Sequence, residues 1–310
     1  MNKEGPFITK NAEVSGVYTM DSRSTTLAGD IKELFKLIVL ISNVVPVFAG
    51  FWLAVYFTGS SLEDNIGLLL ATIVGSTLVM AGALILNNWF DVDIDRKMAR
   101  TQNRPTVTGN FSLKAVLWTG IILSAAGMGL LLFTTVEAVL YAFVGWFVYV
   151  FLYTMWSKRR FTLNTVIGSV SGAVTPLIGW AAIEPSNHIV PIMMALILFI
   201  WQIPHTFVIA IRKYDEYKSA GVPMLPVVHG FEITKRQIVI YIACLLPLPF
   251  YLVSLGTGFV VLVSAMNFGW LIFAIRGLFG KDDLKWANKM FLFSVNYLMF
   301  VFLLAIVVTM

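Results

Sequence analysis

Charge is scarce in this sequence. Only 13% of its 310 residues are Asp, Glu, Lys or Arg, whereas a soluble domain carries roughly 25%. That excludes a pair of ordinary soluble domains. Cysteine is nearly absent. The single Cys244 rules out an intramolecular disulfide, and its place inside an apolar run reads as a small core hydrophobe. The three histidines, His188, His205 and His229, have no partner at metal-ligand spacing, so no zinc site is expected. Residues 1–33 lack an apolar stretch, which excludes a cleaved secretory signal there. Glu4, Glu13 and Asp21 argue against an acid-poor transit peptide. This segment is expected to be a poorly ordered cytoplasmic tail, with residues 34–310 forming a single membrane-embedded domain.

What is abundant is apolar: 58% of the chain. Nine segments are each long enough to cross a bilayer, which takes about 20 residues. They run over 35–57, 66–88, 115–133, 137–156, 163–183, 189–211, 237–255, 257–276 and 289–309. With the amino terminus inside, all 22 Lys and Arg fall in the tail and in the loops after the second, fourth, sixth and eighth segments. The opposite side holds Glu63, Asp64, Glu137 and Glu184 and no base. The positive-inside rule therefore puts the amino terminus in the cytoplasm and the carboxyl terminus outside. The net charge of +5 is spread over these loops, not gathered on one face, so nucleic acid is not an expected partner. The partner the composition does imply is the lipid bilayer. Pro46, Pro176, Pro204, Pro247 and Pro249 lie within spans, where they either kink helices or open a central cavity.

The chemistry concentrates in 86–105, LNNWFDVDIDRKMARTQNRP. Asn87, Asp91 and Asp95 stand at i, i+4 and i+8. Each step of four advances about 40° around a helix and about 6 Å along it. The three form one stripe that climbs from membrane depth to the water boundary, and Asp93 points elsewhere. Intramembrane acids face a cavity or a ligand. Two uses compete: a cation path in a transporter, or a Mg²⁺ site for a phosphate-bearing substrate. Arg96, Lys97, Arg100 and Arg104 follow at once and favour phosphate, since Arg pairs with phosphate oxygens while Mg²⁺ bridges others.

A second charged cluster, Arg212-Lys213-Tyr214-Asp215-Glu216-Tyr217-Lys218, follows the sixth segment on the same side. Its acids read either as the other half of a two-metal clamp or as a solvated turn. The apolar run 221–228 after it is too short to span and reads as a surface segment or a lid. Within the sixth segment, Trp201-Gln202-Ile203-Pro204-His205 places a histidine about 9 Å below the inner end.

These residues resemble a family. NxxxDxxxD at the end of a second span, with an acidic loop after the sixth, is similar to the UbiA superfamily of intramembrane prenyltransferases. Asn87-Asn88-Trp89-Phe90-Asp91-Val92-Asp93-Ile94-Asp95 with Met98, Arg100-Thr101 and Arg104-Pro105 resembles its haem-farnesylating branch. So do Tyr153-Thr154 with Lys158-Arg159, Gly172-Ala173 with Pro176 and Gly179-Trp180, Trp201-Gln202 with Pro204-His205, and the run 223–228, PMLPVV. The resemblance implies an all-α bundle of nine transmembrane helices around a central cavity. It implies transfer of farnesyl from farnesyl diphosphate to a vinyl group of haem B, with addition of water, giving haem O and diphosphate.

In that frame Asn87, Asp91 and Asp95 hold Mg²⁺ from one side, and Asp215 and Glu216 from the other. Arg100, Arg104 and Lys158 stabilise the departing diphosphate, with Lys218 beside them. Tyr153, Trp201, Gln202, His205, Arg212 and Tyr214 contact substrate. Trp89, Tyr153 and Trp201 are candidates to shelter an allylic cation, and His205 to meet haem iron or a propionate. Haem B enters as substrate, and the product serves a haem A synthase or a terminal oxidase assembly. One departure stands out: the superfamily's second DxxxD is here a single adjacent pair, Asp215-Glu216. The runner-up acceptors are a quinone precursor or another aromatic; the alternative of another class is a haem or cation transporter. The membrane implied is a bacterial inner or plasma membrane, or the mitochondrial inner membrane in a eukaryote.

Overall fold

The chain folds so that its two charged clusters close the same end of a helical bundle. The computed structural model describes residues 26–310, and among them there is no strand. Thr26 caps a first helix, α1 (Leu27–Phe35), by accepting from the Gly29 N–H. Part of the expected tail, 27–33, is therefore ordered; residues 1–25 lie outside the described residues. Then come α2 (Leu37–Thr58), α3 (Ile66–Phe90), the single turns α4 (Val92–Asp95) and α5 (Pro105–Thr108), and α6 (Leu113–Leu131). Next, α7 (Val136–Phe147) runs on as a π-helical stretch, Val148–Ser157. After it follow α8 (Asn164–Ala173), α9 (Thr175–Ala181), α10 (Ile189–Arg212), α11 (Tyr214–Ala220) and α12 (Leu225–Cys244). A 3-10 segment (Leu248–Leu255), α13 (Thr257–Leu278) and α14 (Asp283–Val307) complete the fold.

Among the described residues eight helical stretches are long and apolar enough to cross a membrane. The chain is a multi-pass membrane protein. The expected fifth segment, 163–183, is two helices joined at Val174. Pro176 has no N–H to continue the ladder from α8 and instead starts α9. The seventh segment is also broken. Within 237–255 the α-helix ends at Cys244, and beyond Pro247 the chain tightens into the 3-10 segment; ahead of that segment, Gly230 takes φ 79° inside α12. The short run 221–228 packs inward: Val222 and Met224 are buried against Ile94 and Met98. Cys244, expected in the core, is exposed on the outer surface of α12.

The bundle is drawn tight by small residues, as in membranes generally. A Cβ on Gly82 of α3 would fall 2.6 Å from the Gly120 carbonyl of α6, and one on Gly127 would fall 2.6 Å from that of Gly75. Likewise a Cβ on Gly179 of α9 would fall 1.9 Å from the Val47 carbonyl of α2. The largest core lies between α10 and α12–α14 around Trp270, Tyr297 and Phe302. Large apolar side chains such as Ile38, Phe133 and Phe250 face outward, which suits lipid and not water.

Candidate active site

The stripe survives the end of its helix. Asp91 closes α3 with φ −90° and ψ 11°, yet the i→i+4 ladder continues. The Asp91 N–H donates to the Asn87 carbonyl at 3.0 Å, and the Asp95 N–H to the Asp91 carbonyl at 2.8 Å. Asn87, Asp91 and Asp95 thus stay on one face, and all three are buried, Asp91 completely. Asp93 points away and is exposed, where both its oxygens accept from Arg159 at 2.7 Å.

Two bare carboxylates at such depth would cost several kcal/mol each. Each member of the stripe instead meets a cation. Lys36 donates to Asn87 Oδ1 at 2.5 Å. Lys158 donates to Asp91 Oδ2. Arg104 Nη1 donates to Asp95 Oδ2 at 2.5 Å. The Asn87 amide completes the row by donating to Asp91 Oδ2 at 2.7 Å and to the Thr154 hydroxyl at 3.0 Å. Arg159 also donates to the Phe90 carbonyl at 3.0 Å, so it fixes the turn that presents Asp91.

Charge balance follows from this crowding. Burial pushes the Lys36 ammonium well below the usual lysine range, and the Arg104 and Lys158 charges push it further. Burial also acts to lower Lys158, but Asp91 together with Tyr153 and Tyr217 more than offsets it, leaving its pKa raised. The hydrogen bond from Arg159 holds the Asp93 carboxyl below its usual range.

Lys36, Thr154 and Arg159 are the site residues to which sequence reasoning gave no role; Thr154 and Arg159 entered only as markers of the family resemblance. Lys36 passed for one more cytoplasmic base. The available signal was its position, a lone charge at the very start of the first apolar run. Its backbone sits at φ 47°, ψ 53°, and it is the sole non-glycine residue with positive φ among those described. Its neighbourhood is built to hold it there. Asn88, one residue and about 100° around the helix from Asn87, donates to the Leu34 carbonyl at 2.7 Å. Asn110 donates to Asp30 at 2.8 Å. The first bond docks α1 over the end of α3, and the second ties α1 to the loop between α5 and α6.

The second cluster sits beside the first, on α11. Ile94 and Met98 pack with Ala220 and Val222. Glu216 accepts from Lys213 at 2.8 Å, and its Oε2 is buried without a partner. Asp215 is exposed. Among the described residues, no three His, Cys, Asp or Glu side chains come together as a metal group. Asp215 and Glu216 are therefore not joined to Asp91 and Asp95. Lys218 and Arg100 are exposed. Lys218 lies 5.4 Å over the Tyr214 ring, and that ring meets Phe231 edge-on.

A cavity of about 260 Å³ opens between α2, α3, α7, α8 and α10, lined among others by Leu40, Met80, Trp146, Tyr153 and Gln202. Tyr153 links it to the charged stripe, because Lys158 lies 6.0 Å over its ring and Thr154 beside it bonds Asn87. Trp89 and Trp201 do not line the cavity. Trp89 packs with Leu34 and Ile85 under α1. Trp201 donates to the Ser294 carbonyl at 2.8 Å.

His205 also faces α14. Its ring stacks between Trp201 and Phe291, at 4.6 and 5.3 Å. Its Nδ1 lies 2.7 Å from Ser294 Oγ, whose own proton goes to the Phe291 carbonyl. Ser294 Oγ is then the acceptor, which assigns the proton to Nδ1 and leaves the Nε2 lone pair free. Arg212 belongs to the same face: it donates to Asn288 at 2.7 Å and covers the Phe291 ring at 4.1 Å.

Buried oxygen donors among cations, linked through Tyr153 to an apolar cavity, can hold a diphosphate and a divalent metal together. The UbiA prenyltransferase family matches residues 43–304. The chain is similar to the protoheme IX farnesyltransferase of Oceanobacillus iheyensis, 59% identical over 280 residues that cover 90% of this chain and 89% of that one. It is 54% identical over 286 residues to the protoheme IX farnesyltransferase of Bacillus cereus strain B4264, covering 92% and 93% of the two chains. Among solved structures it resembles digeranylgeranylglyceryl phosphate synthase, with TM-score 0.74 at 20% identity over 91% of this chain and 98% of that one. It also resembles a UbiA homolog from Archaeoglobus fulgidus bound to GPP and Mg²⁺, with TM-score 0.64 at 15% identity over 89% and 99%. At these identities the structural likeness shows the fold.

Proposed function

The chain belongs to the UbiA prenyltransferase family, and on that premise we propose that this intramembrane prenyltransferase farnesylates haem. It transfers farnesyl from farnesyl diphosphate to a vinyl group of haem B, adds water, and releases haem O and diphosphate. The observation that carries this reading is the row Asn87–Asp91–Asp95 beside Lys36, Lys158 and Arg104, joined through Tyr153 and Thr154 to an apolar cavity. The similarity to farnesyltransferases of 54–59% identity supports the choice of substrates.

The donor set suits Mg²⁺, which takes one or two carboxylates and completes its shell with water and phosphate oxygens. Asn87 Oδ1, Asp91 and Asp95 would hold it, with Asp215 and the unpartnered Glu216 Oε2 on the other side of the diphosphate. When bound, the metal neutralises charge on the leaving group. The chain's own cations do the same from the flank. Arg104 and Lys158 already stand at the stripe, and Arg100 and Lys218 lie at its aqueous edge. As the C–O bond breaks, negative charge grows on the departing oxygen, and these fixed cations stabilise it most where water is excluded. The apolar walls of the cavity keep bulk water from the farnesyl chain, and the Tyr153 ring faces the allylic carbon as positive charge develops there.

His205 is the residue proposed to meet haem. Its Nδ1–H tautomer, held by Ser294, presents Nε2 in the form that ligates iron. Arg212 on the same face suits a propionate, and Trp201 and Tyr214 supply flat walls. By the positive-inside rule this end of the bundle is cytoplasmic, in the cell membrane of a bacterium, from which haem O passes to a haem A synthase or an oxidase assembly. Supplying purified protein and farnesyl diphosphate with either haem B or an aromatic acid tests the acceptor. Farnesylated haem alone is the expected result; farnesylated aromatic acid alone would overturn it.

A further inference from the structure

One polar group in the cavity has no evident use for a farnesyl chain. Gln202 and Thr206 stand at i and i+4 on α10 and both line the cavity. Among the described residues neither side chain has a protein hydrogen-bond partner. Around Gln202 the wall is shaped to admit its amide. A Cβ on Gly172 of α8 would fall 2.0 Å from Gln202 Nε2, so any larger residue there would push the amide out of its present position. Two aliphatic hydroxyls of the wall, those of Ser169 and Thr175, are spent on backbone. Ser169 donates to the Thr165 carbonyl at 2.8 Å, and Thr175 to the Gly172 carbonyl at 2.7 Å. Their oxygens keep acceptor capacity only.

A primary amide facing hydrocarbon with nothing to bond is costly, and a prenyl tail offers it nothing. A small polar molecule does. A buried water needs two to four polar partners, and the Gln202 amide with the Thr206 hydroxyl supplies both donors and acceptors. We propose that Gln202, with Thr206, positions the water that ends the reaction. The inference rests on the haem-farnesylating reading above.

The chemistry requires such a water at one moment. The farnesyl C–O bond breaks and its electron pair leaves with diphosphate. The vinyl π pair forms the new C–C bond, which leaves positive charge on the carbon next to the pyrrole ring. A water oxygen pair then forms the C–O bond to that carbon, and the proton leaves to the released diphosphate or to solvent. With no water in place, the same cation loses a proton from the adjacent carbon. The product is then an alkene, lighter by one water. Gln202 Oε1 accepts from the water and turns its lone pair toward the cation. The residue thereby decides between hydration and elimination.

The test is the product ratio by mass, with purified protein, farnesyl diphosphate, Mg²⁺ and haem B. Wild type should give hydrated haem. Gln202→Leu removes every donor and acceptor, and the alkene should become the major product; Gln202→Glu keeps an acceptor and should restore hydration. Gly172→Ala leaves Gln202 in the sequence but displaces its amide, and it should shift the ratio the same way. This second variant guards against misfolding of the first. Turnover that falls while the product stays fully hydrated, in folded Gln202→Leu and Gly172→Ala alike, overturns the water role. A wild type that makes no farnesylated haem of either mass overturns the reading beneath it.

Discussion

The Lys36 ammonium lies 2.5 Å from the Asn87 side-chain oxygen, on the atom that a metal in this site would claim. Two helices are tied at that point. Lys36 joins α1 to α2, and Asn87 lies one turn from the end of α3. The cation therefore either shares the oxygen or moves onto the arriving diphosphate. In both cases Lys36→Met should raise the KM for farnesyl diphosphate by about ten- to a hundredfold, the worth of one charged hydrogen bond. An unchanged KM would remove Lys36 from the substrate site.

The backbone of Lys36 makes a separate prediction. Its φ of 47° costs an ordinary residue roughly 1 kcal/mol and glycine little. Lys36→Gly should therefore unfold at a higher temperature than Lys36→Ala in the same detergent, although both have lost the ammonium. Equal melting temperatures would mean that the turn relaxes.

Asp91 and Lys158 are a buried pair. Removing one partner strands the other, at about 3–5 kcal/mol. Asp91→Asn and Lys158→Met should each destabilise by amounts of that order, while the double variant recovers much of the loss and stays inactive. Additive losses would show that the two do not depend on each other.

Arg159 holds Asp93 at two points and the Phe90 carbonyl at a third. Asp93→Asn weakens only the outer grip. It should lower kcat by about tenfold without abolishing turnover, whereas Asp91→Asn abolishes it. If Asp93→Asn is as damaging as Asp91→Asn, Asp93 takes part in the chemistry directly.

Gly82 has room for no side chain, since a Cβ would fall 2.2 Å from Ser124 Oγ and 2.6 Å from the Gly120 carbonyl. Gly82→Ala should cost about 1–3 kcal/mol. It should also slow turnover by shifting Asn87 further along the same helix. Unaltered stability would show that α3 and α6 separate freely.

The stripe was legible because an amide and two acids at i, i+4 and i+8, climbing out of an apolar run, have no bland use in lipid. The charge asymmetry across the segments was equally plain. Other features depend on contacts between distant segments, and these leave no local pattern. Lys36 looks like any flanking base until Asn87 comes to meet it from fifty residues away. Helical period separates Gln202 from His205, but it does not tell which of them meets the cavity; only the packing of α14 against α10 assigns His205 to Ser294 and leaves Gln202 inside. The break at Val174 was foreshadowed by Pro176 alone. Trp89, beside the stripe in sequence, turns under α1 because Asn88 docks that helix.

The central claim is that the Asn87–Asp91–Asp95 row ionises farnesyl diphosphate for transfer to haem. The most direct measurement follows haem B by mass in purified protein given farnesyl diphosphate and Mg²⁺, with diphosphate release recorded in parallel. The account predicts haem heavier by farnesyl plus water, matched one for one by diphosphate, and neither product from folded Asp91→Ala. Wild-type turnover in that variant would contradict it.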